Sequence, residues 1–176
     1  MKKLLIICIL FPFALTGQNT VNADQWIPFN SFFGEWTGQG GGESGIGTYE
    51  RSYQIILNGK FIEVRNKSTY PPSASNAKGE VHEDLGYISY DRALKKLRLR
   101  QFHIEGFVNE YFLDSISPDQ KLMVFVTESI ENIPSGWKAK ETYRILSENE
   151  LEETFELAEP GKEYAGYSKV LLKRVK

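Results

Sequence analysis

Residues able to do chemistry are few in this chain, and their spacing is that of strands. His82 and His103 are the two imidazoles among 176 residues. Side chains of an extended segment alternate between its faces. His82 therefore shares a face with Asp84, Gly86 and Ile88, and His103 shares one with Leu97, Leu99 and Gln101. His82 so placed is either hydrogen-bonded structure near a barrel mouth or part of a cavity wall, and His103, beside leucines, reads as structural or surface. Tyr164 and Tyr167 fall on opposite faces, so at most one of these phenols looks inward. Glu150, Glu152 and Glu156 alternate with Leu151, Phe155 and Leu157, the pattern of a solvated face. General acid–base work needs two carboxyls in opposed environments, and the pattern offers no such pair. Gly38-Gln39-Gly40-Gly41-Gly42 precedes no helix and is no dinucleotide fingerprint. No hydrolase elbow, phosphate loop or metal-binding helix is present, so no catalytic residue is assigned.

Cys8 is the sole cysteine. It sits in the apolar run Leu4 to Leu15 behind Met1-Lys2-Lys3, the charged-then-apolar pattern of a secretory signal peptide. The run is shorter than the ~20 apolar residues of a spanning helix. The expectation is a leader over residues 1–17, cleaved between 16 and 23, and one domain over 25–176. The exported product, periplasmic or extracellular, would then hold no thiol, which excludes disulfides, Cys-ligated metals and Cys nucleophiles. Loss of Lys2 and Lys3 makes it two units more negative than the −2 of the full chain. A mildly acidic, mixed surface gives no footprint for nucleic acid.

The elements that position these residues read as strands almost throughout. Asn22 to Phe33 is the one stretch with helical signals: Pro28 suits a first turn and Gly34 a stop. Its Trp26, Ile27, Phe29, Phe32 and Phe33 mark it as a lid or plug. Phe32-Phe33-Gly34-Glu35-Trp36 then opens a strand that dissolves into glycine, with Gly34, Gly38 and Gly40 on one face, where a sheet can bend sharply. Beyond Gly47 the period is two. Asn58-Gly59 is a hairpin signal between Thr48–Leu57 and Lys60–Tyr70. Further strands are predicted at Val81–Tyr90, Leu94–Ile104, Phe107–Ser117, Lys121–Ile130, Trp137–Leu146, Glu150–Glu159 and Glu163–Val175. Pro71 to Gly79 is the longest loop. About ten strands joined by short turns favour an all-β, antiparallel up-and-down barrel with a short N-terminal helix. Its interior is either filled or encloses a ligand.

Several runs resemble one family. Phe33-Gly34-Glu35-Trp36-Thr37-Gly38-Gln39-Gly40 is similar to the N-terminal G-x-W-x-G-x-G of nitrobindin-like barrels, fatty-acid-binding-protein-like domains of the calycin or lipocalin type. Val81-His82-Glu83-Asp84-Leu85-Gly86-Tyr87-Ile88 resembles their hydrophobe-His-x-acid-x-Gly-aromatic-aliphatic strand. Leu151 to Thr154 and Val170 to Val175 resemble the last two strands. The resemblance implies a ten-stranded barrel with an apolar cavity for an apolar small molecule, lipid-like or haem, and His82 as a contact inside it. It also implies a cation of the last strand, Lys173 or Arg174, laid across Trp36 to close the barrel. The family holds haem iron through a His early in the last strand. Here that position is Tyr167, which can also ligate haem. Haem, with Tyr167 or His82 as its ligand, therefore stays open as a cofactor. A haem-dependent isomerase or peroxidase and a filled barrel acting through its surface are the alternatives to a binding protein.

Overall fold

The computed structural model describes residues 23–74 and 76–175. The leader expected over residues 1–17 lies outside them. A 3-10 turn, Ala23–Phe29, leads into ten strands: β1 (Gly34–Gly42), β2 (Gly45–Ile56), β3 (Phe61–Tyr70), β4 (Glu80–Asp91), β5 (Lys96–His103), β6 (Val108–Ile116), β7 (Leu122–Glu131), β8 (Lys138–Ser147), β9 (Glu150–Ala158) and β10 (Ala165–Arg174). Each pairs antiparallel with the next, and β1 pairs with β10, so the sheet closes. The expected barrel, its strand count and its sequential order are all present.

Two local expectations are refined. The short N-terminal helix expected between residues 22 and 33 is a 3-10 turn, Ala23–Phe29. Pro28 inside it has no N–H to give, and the bonds that follow, Asn30 N–H to the Ile27 carbonyl and Phe32 N–H to that of Phe29, span three residues. Asn58-Gly59 does not make a two-residue turn. Leu57, Asn58 and Gly59 all have positive φ, and residues 57–60 form a four-residue loop between β2 and β3.

Alternation then sorts the side chains. At one end of the barrel Trp26, Phe29, Phe32 and Trp36 form a buried aromatic plug with Tyr53, Phe125 and Tyr143. Rings of Phe32 and Tyr53 meet edge-on at 5.3 Å, and Phe32 and Tyr143 at 5.7 Å. The plug's polar atoms are tied down: Trp36 Nε1 donates to the Phe32 carbonyl at 2.7 Å and Trp26 Nε1 to that of Gly59 at 2.7 Å. Below it Ile62, Val64, Leu99, Tyr111, Met123, Leu151 and Leu172 fill the barrel. The glycines of β1 allow the closure. A Cβ on Gly38 would lie 2.0 Å from the Leu171 carbonyl oxygen and one on Gly42 1.9 Å from that of Tyr167. Only a bare backbone lets β10 approach so closely.

Candidate functional site

Toward the other end the same strands stop supplying bulk. Inward positions become Ser68, Asn66, Asp84, Gln101 and Asn109, and a cavity of about 630 Å³ opens. Its mouth lies among the loops that follow β1, β3, β5, β7 and β9. Phe107, Ile133, Pro134 and Trp137 stand on these loops, and Ile130, Phe155 and Leu157 continue the apolar wall downward.

The floor is charged. Arg51 of β2 and Glu153 of β9 pair at 3.0 Å, with each side chain only 9% exposed. The Tyr53 hydroxyl donates to the second Glu153 oxygen at 3.1 Å, and Arg51 Nη1 donates to the carbonyls of Glu50 and Lys67. Burial works against the Arg51 charge, and Glu153 overrides it. A buried ion pair is costly to desolvate and is sustained only when its remaining hydrogen bonds are met. Two further carboxyls share this floor. Burial pushes Asp84 up to about 6, against the pull of Arg51, His82 and the 2.8 Å bond from Asn66 Nδ2. Burial, and then the neighbouring Glu153, hold Glu141 well above the carboxylate range.

One wall carries both histidines. Asp84 of β4 lies opposite His103 of β5, and His82 precedes Asp84 by two residues on the same face. A hydrogen-bonded chain runs inward from the mouth: Glu105 Oε1 to His82 Nδ1 at 2.7 Å, His82 Nε2 to His103 Nδ1 at 3.3 Å, and His103 Nε2 to Asn109 Nδ2 at 3.2 Å. The bonds are mutually consistent when both rings are neutral and protonated at Nδ1, since Asn109 donates to His103. His103 stacks on Phe107 with centroids 4.1 Å apart, and burial, then His82, lower its pKa to about 4. Donor atoms of His82, Asp84 and His103 lie within 4.8 Å of one another, the one such metal-ligating cluster among the described residues.

The residues singled out from sequence are placed as follows. His82 and Tyr167 both line the cavity. Tyr167 sits where β10 slips register against β9, a bulge that re-aims its side chain, and it meets Phe155 edge-on at 5.5 Å. Tyr164 is outside, under the Lys140 ammonium at 4.7 Å. The Arg174 guanidinium lies 4.2 Å from the Trp36 ring and donates to the carbonyls of Phe33 and Ser31. Lys173 points away, 68% exposed, 3.9 Å from Glu150. The cavity expected to be apolar is so toward its mouth and carries polar and charged groups in its deep half. Arg51, Glu141 and Glu153 are not among the expected site residues, and with Asp84 three carboxyls converge where the strand pattern offers no acid pair. A signal was available: Glu153 interrupts the inward run Leu151, Phe155, Leu157, and Glu141 falls between inward Ala139 and Tyr143.

No protein-family model matches the chain, and no curated protein matches it by sequence. By structure it is similar to Rv2717c from M. tuberculosis, with a TM-score of 0.64 and 17% identity over 90% of this chain and 100% of that one. A redesigned β-barrel matches at a TM-score of 0.42 and 10% identity, over 83% of this chain and 93% of that one. A de novo fluorescence-activating β-barrel matches at 0.42 and 16%, over 88% and 99%. At 17% identity the likeness to Rv2717c is one of fold.

Proposed function

We propose that this chain is an exported binding protein that takes a small amphipathic, lipid-like molecule into its barrel. The observation that carries this reading is the cavity: about 630 Å³, apolar and aromatic at the mouth, polar at the floor, with the far end plugged. Small-molecule sites are concave, largely apolar and fitted with a few placed polar groups that fix orientation. Export rests on Lys2-Lys3 and the run Leu4 to Leu15, and the intact mass of protein recovered outside the cytoplasm tests it.

The floor selects the head group. It holds more acceptors than donors. Arg51 is taken up by Glu153, Asp84 is met by the amides of Asn66 and Gln101 with His82 at 3.8 Å, and the amide oxygens of Asn66, Gln101 and Asn109 receive no hydrogen bond. A head group that donates, such as an ammonium, a guanidinium or a polyol, satisfies these atoms. A fatty-acid carboxylate adds a further anion to them. His82 and Tyr167, nearer the mouth, flank the path of the tail. Native mass spectrometry and organic extraction of protein purified from its own host test the reading. A bound small molecule with a donating head and an apolar tail is expected. An empty barrel, with nothing extracted, contradicts it.

A second reading is suggested by the resemblance to nitrobindin-like barrels, but the residues present do not fit haem. The ligand position carries the phenol of Tyr167, packed edge-on against Phe155, in place of an imidazole. The cavity wall facing it presents carboxyls and amide oxygens, which an apolar macrocycle would strip of solvent without replacing their hydrogen bonds. Haemin titration of wild type, His82→Ala and Tyr167→Phe should give equally weak binding. Tight binding lost in Tyr167→Phe would restore the haem reading.

A further inference from the structure

We infer that His82, Asp84 and His103 form a site for a divalent transition-metal ion in the cavity wall. The site shares the cavity, and Asp84 with it, with the proposed organic ligand, but its test does not depend on which molecule the barrel takes.

Three observations converge. The first is placement. Both imidazoles of a 176-residue chain meet one carboxyl on two adjacent strands. His82 Nε2 and His103 Nδ1 are 3.3 Å apart, and His82 Nε2 is 3.8 Å from Asp84 Oδ2. Donors bound tetrahedrally at about 2.0–2.2 Å are ~3.3–3.6 Å from each other. The imidazole pair already has that spacing, and with all three donors within 4.8 Å of one another the Asp84 carboxylate closes on the ion to complete it.

The second is orientation. His82 gives its Nδ1 proton to Glu105 at 2.7 Å, which leaves the Nε2 lone pair facing His103 and Asp84. A carboxylate behind an imidazole in this manner fixes the tautomer and ring angle of a metal ligand. His103 can free its Nδ1 by carrying its proton on Nε2 instead. Its partner there, Asn109, is suited to the change. The carboxamide now presents Nδ2, and turned over it presents Oδ1, which at present has no hydrogen bond.

The third observation is a local shortage of hydrogen-bond donors. Asn109 and Gln101 are each 2% exposed and Asn66 9%, yet one oxygen of each lacks a donor. All three line the same cavity as the cluster. Amides at such positions are ordinarily satisfied, and a water carried by an ion in this cavity is a donor they lack.

Two imidazoles and one carboxylate suit zinc, iron(II), cobalt or nickel. Calcium and magnesium take oxygen ligands. Three protein ligands leave a coordination position open toward the cavity, the arrangement of sites where a metal meets a water or a ligand atom.

The test uses the full chain freed of metal by chelator and titrated with zinc, read by the imidazole resonances in a proton–nitrogen correlation spectrum. The two imidazole sets should shift together at one equivalent, with Nδ1 of His103 and Nε2 of His82 moving most. Cobalt in place of zinc should give a visible absorption band of a nitrogen- and oxygen-ligated ion. In His82→Gln and Asp84→Asn, whose side chains keep roughly the native shape, affinity should fall at least ~100-fold, the upper range for loss of a supporting group. Circular dichroism and melting temperature confirm that each variant is folded. Imidazole resonances unmoved by zinc in the wild type overturn the inference. So does a cobalt band, or zinc affinity, retained in the double variant His82→Gln/Asp84→Asn.

Discussion

The two ends of this barrel are built from the same ten strands and are chemically opposite. At the plugged end, inward positions carry Trp36, Ile62, Leu99, Phe125, Leu151 and Leu172, all at most 2% exposed, and the stray polar atoms, such as Trp36 Nε1, are hydrogen-bonded. At the open end, inward positions on the same strands carry Ser68, Asp84, Gln101, Glu141 and Glu153, and several polar atoms lack partners. Packing at one end supplies stability. Unmet polar groups at the other end lower it, as is common where a protein keeps a site ready for something else. Alternation fixes which face a residue takes, and distance along the strand decides which of the two environments it enters.

The largest test of this contrast is Trp36→Ala. It removes the centre of the plug and should cost on the order of 3–5 kcal/mol, as aromatic-to-alanine changes in cores do. Chemical denaturation measures it, and a midpoint close to wild type would show that the plugged end does not anchor the fold. Next comes Arg174→Ala. Arg174 spans the Trp36 ring and donates to the carbonyls of Ser31, Phe33 and Glu148. Its loss should cost about 1.5–3 kcal/mol, the range for charged hydrogen bonds.

At the open end the sign reverses. Burial, and then Glu153, raise the Glu141 pKa in the folded chain, so the folded chain holds a proton that the unfolded one releases above the ordinary glutamate range near ~4.3. The cost therefore grows as pH rises from there toward the folded value and is absent below it. Glu141→Gln should stabilise the protein by about 1 kcal/mol at pH 7, a modest figure because Glu141 still faces the cavity. The gain should disappear near pH 4. Thermal melts at both pH values decide it, and a variant less stable than wild type at pH 7 would mean that Glu141 is a structural anion. The smallest effect belongs to Lys173→Ala, within about 0.5 kcal/mol. Its ammonium is exposed beside Glu150, on the strand face opposite that of Arg174, so a loss as large as that of Arg174→Ala would break the distinction drawn between the two cations.

The barrel was legible because it is written in period two: ten alternating runs, short turns and no helix between them leave little else to build. The plug was legible too, since Trp26, Phe29 and Phe32 are too apolar for a linker. The site was legible only in part. His82 and Tyr167 were singled out through a resemblance, and both do face the cavity. Arg51, Asp84, Glu141 and Glu153 are far apart in sequence, with Arg51 and Glu153 separated by 102 positions. Each looks alone like an ordinary charged residue on a strand. Their meaning depends on which strands become neighbours across the interior and on where the filling stops. Likewise His103 reads as one imidazole beside leucines until the β4–β5 register sets it opposite Asp84.

The central claim is that the open end receives an amphipathic molecule with a donating head, and its most direct test is a paired fluorescence titration. Trp26 and Trp36 are buried in the plug, whereas Trp137 lines the cavity, so Trp137 is the reporter and Trp137→Phe the blank. The full chain is titrated with a long-chain alkylammonium and, separately, with the carboxylate of the same chain length. The ammonium should bind at least ~10-fold more tightly, a difference of about 1.4 kcal/mol, and the change should vanish in Trp137→Phe. A carboxylate bound as tightly as the ammonium, or no response to either, would contradict the account.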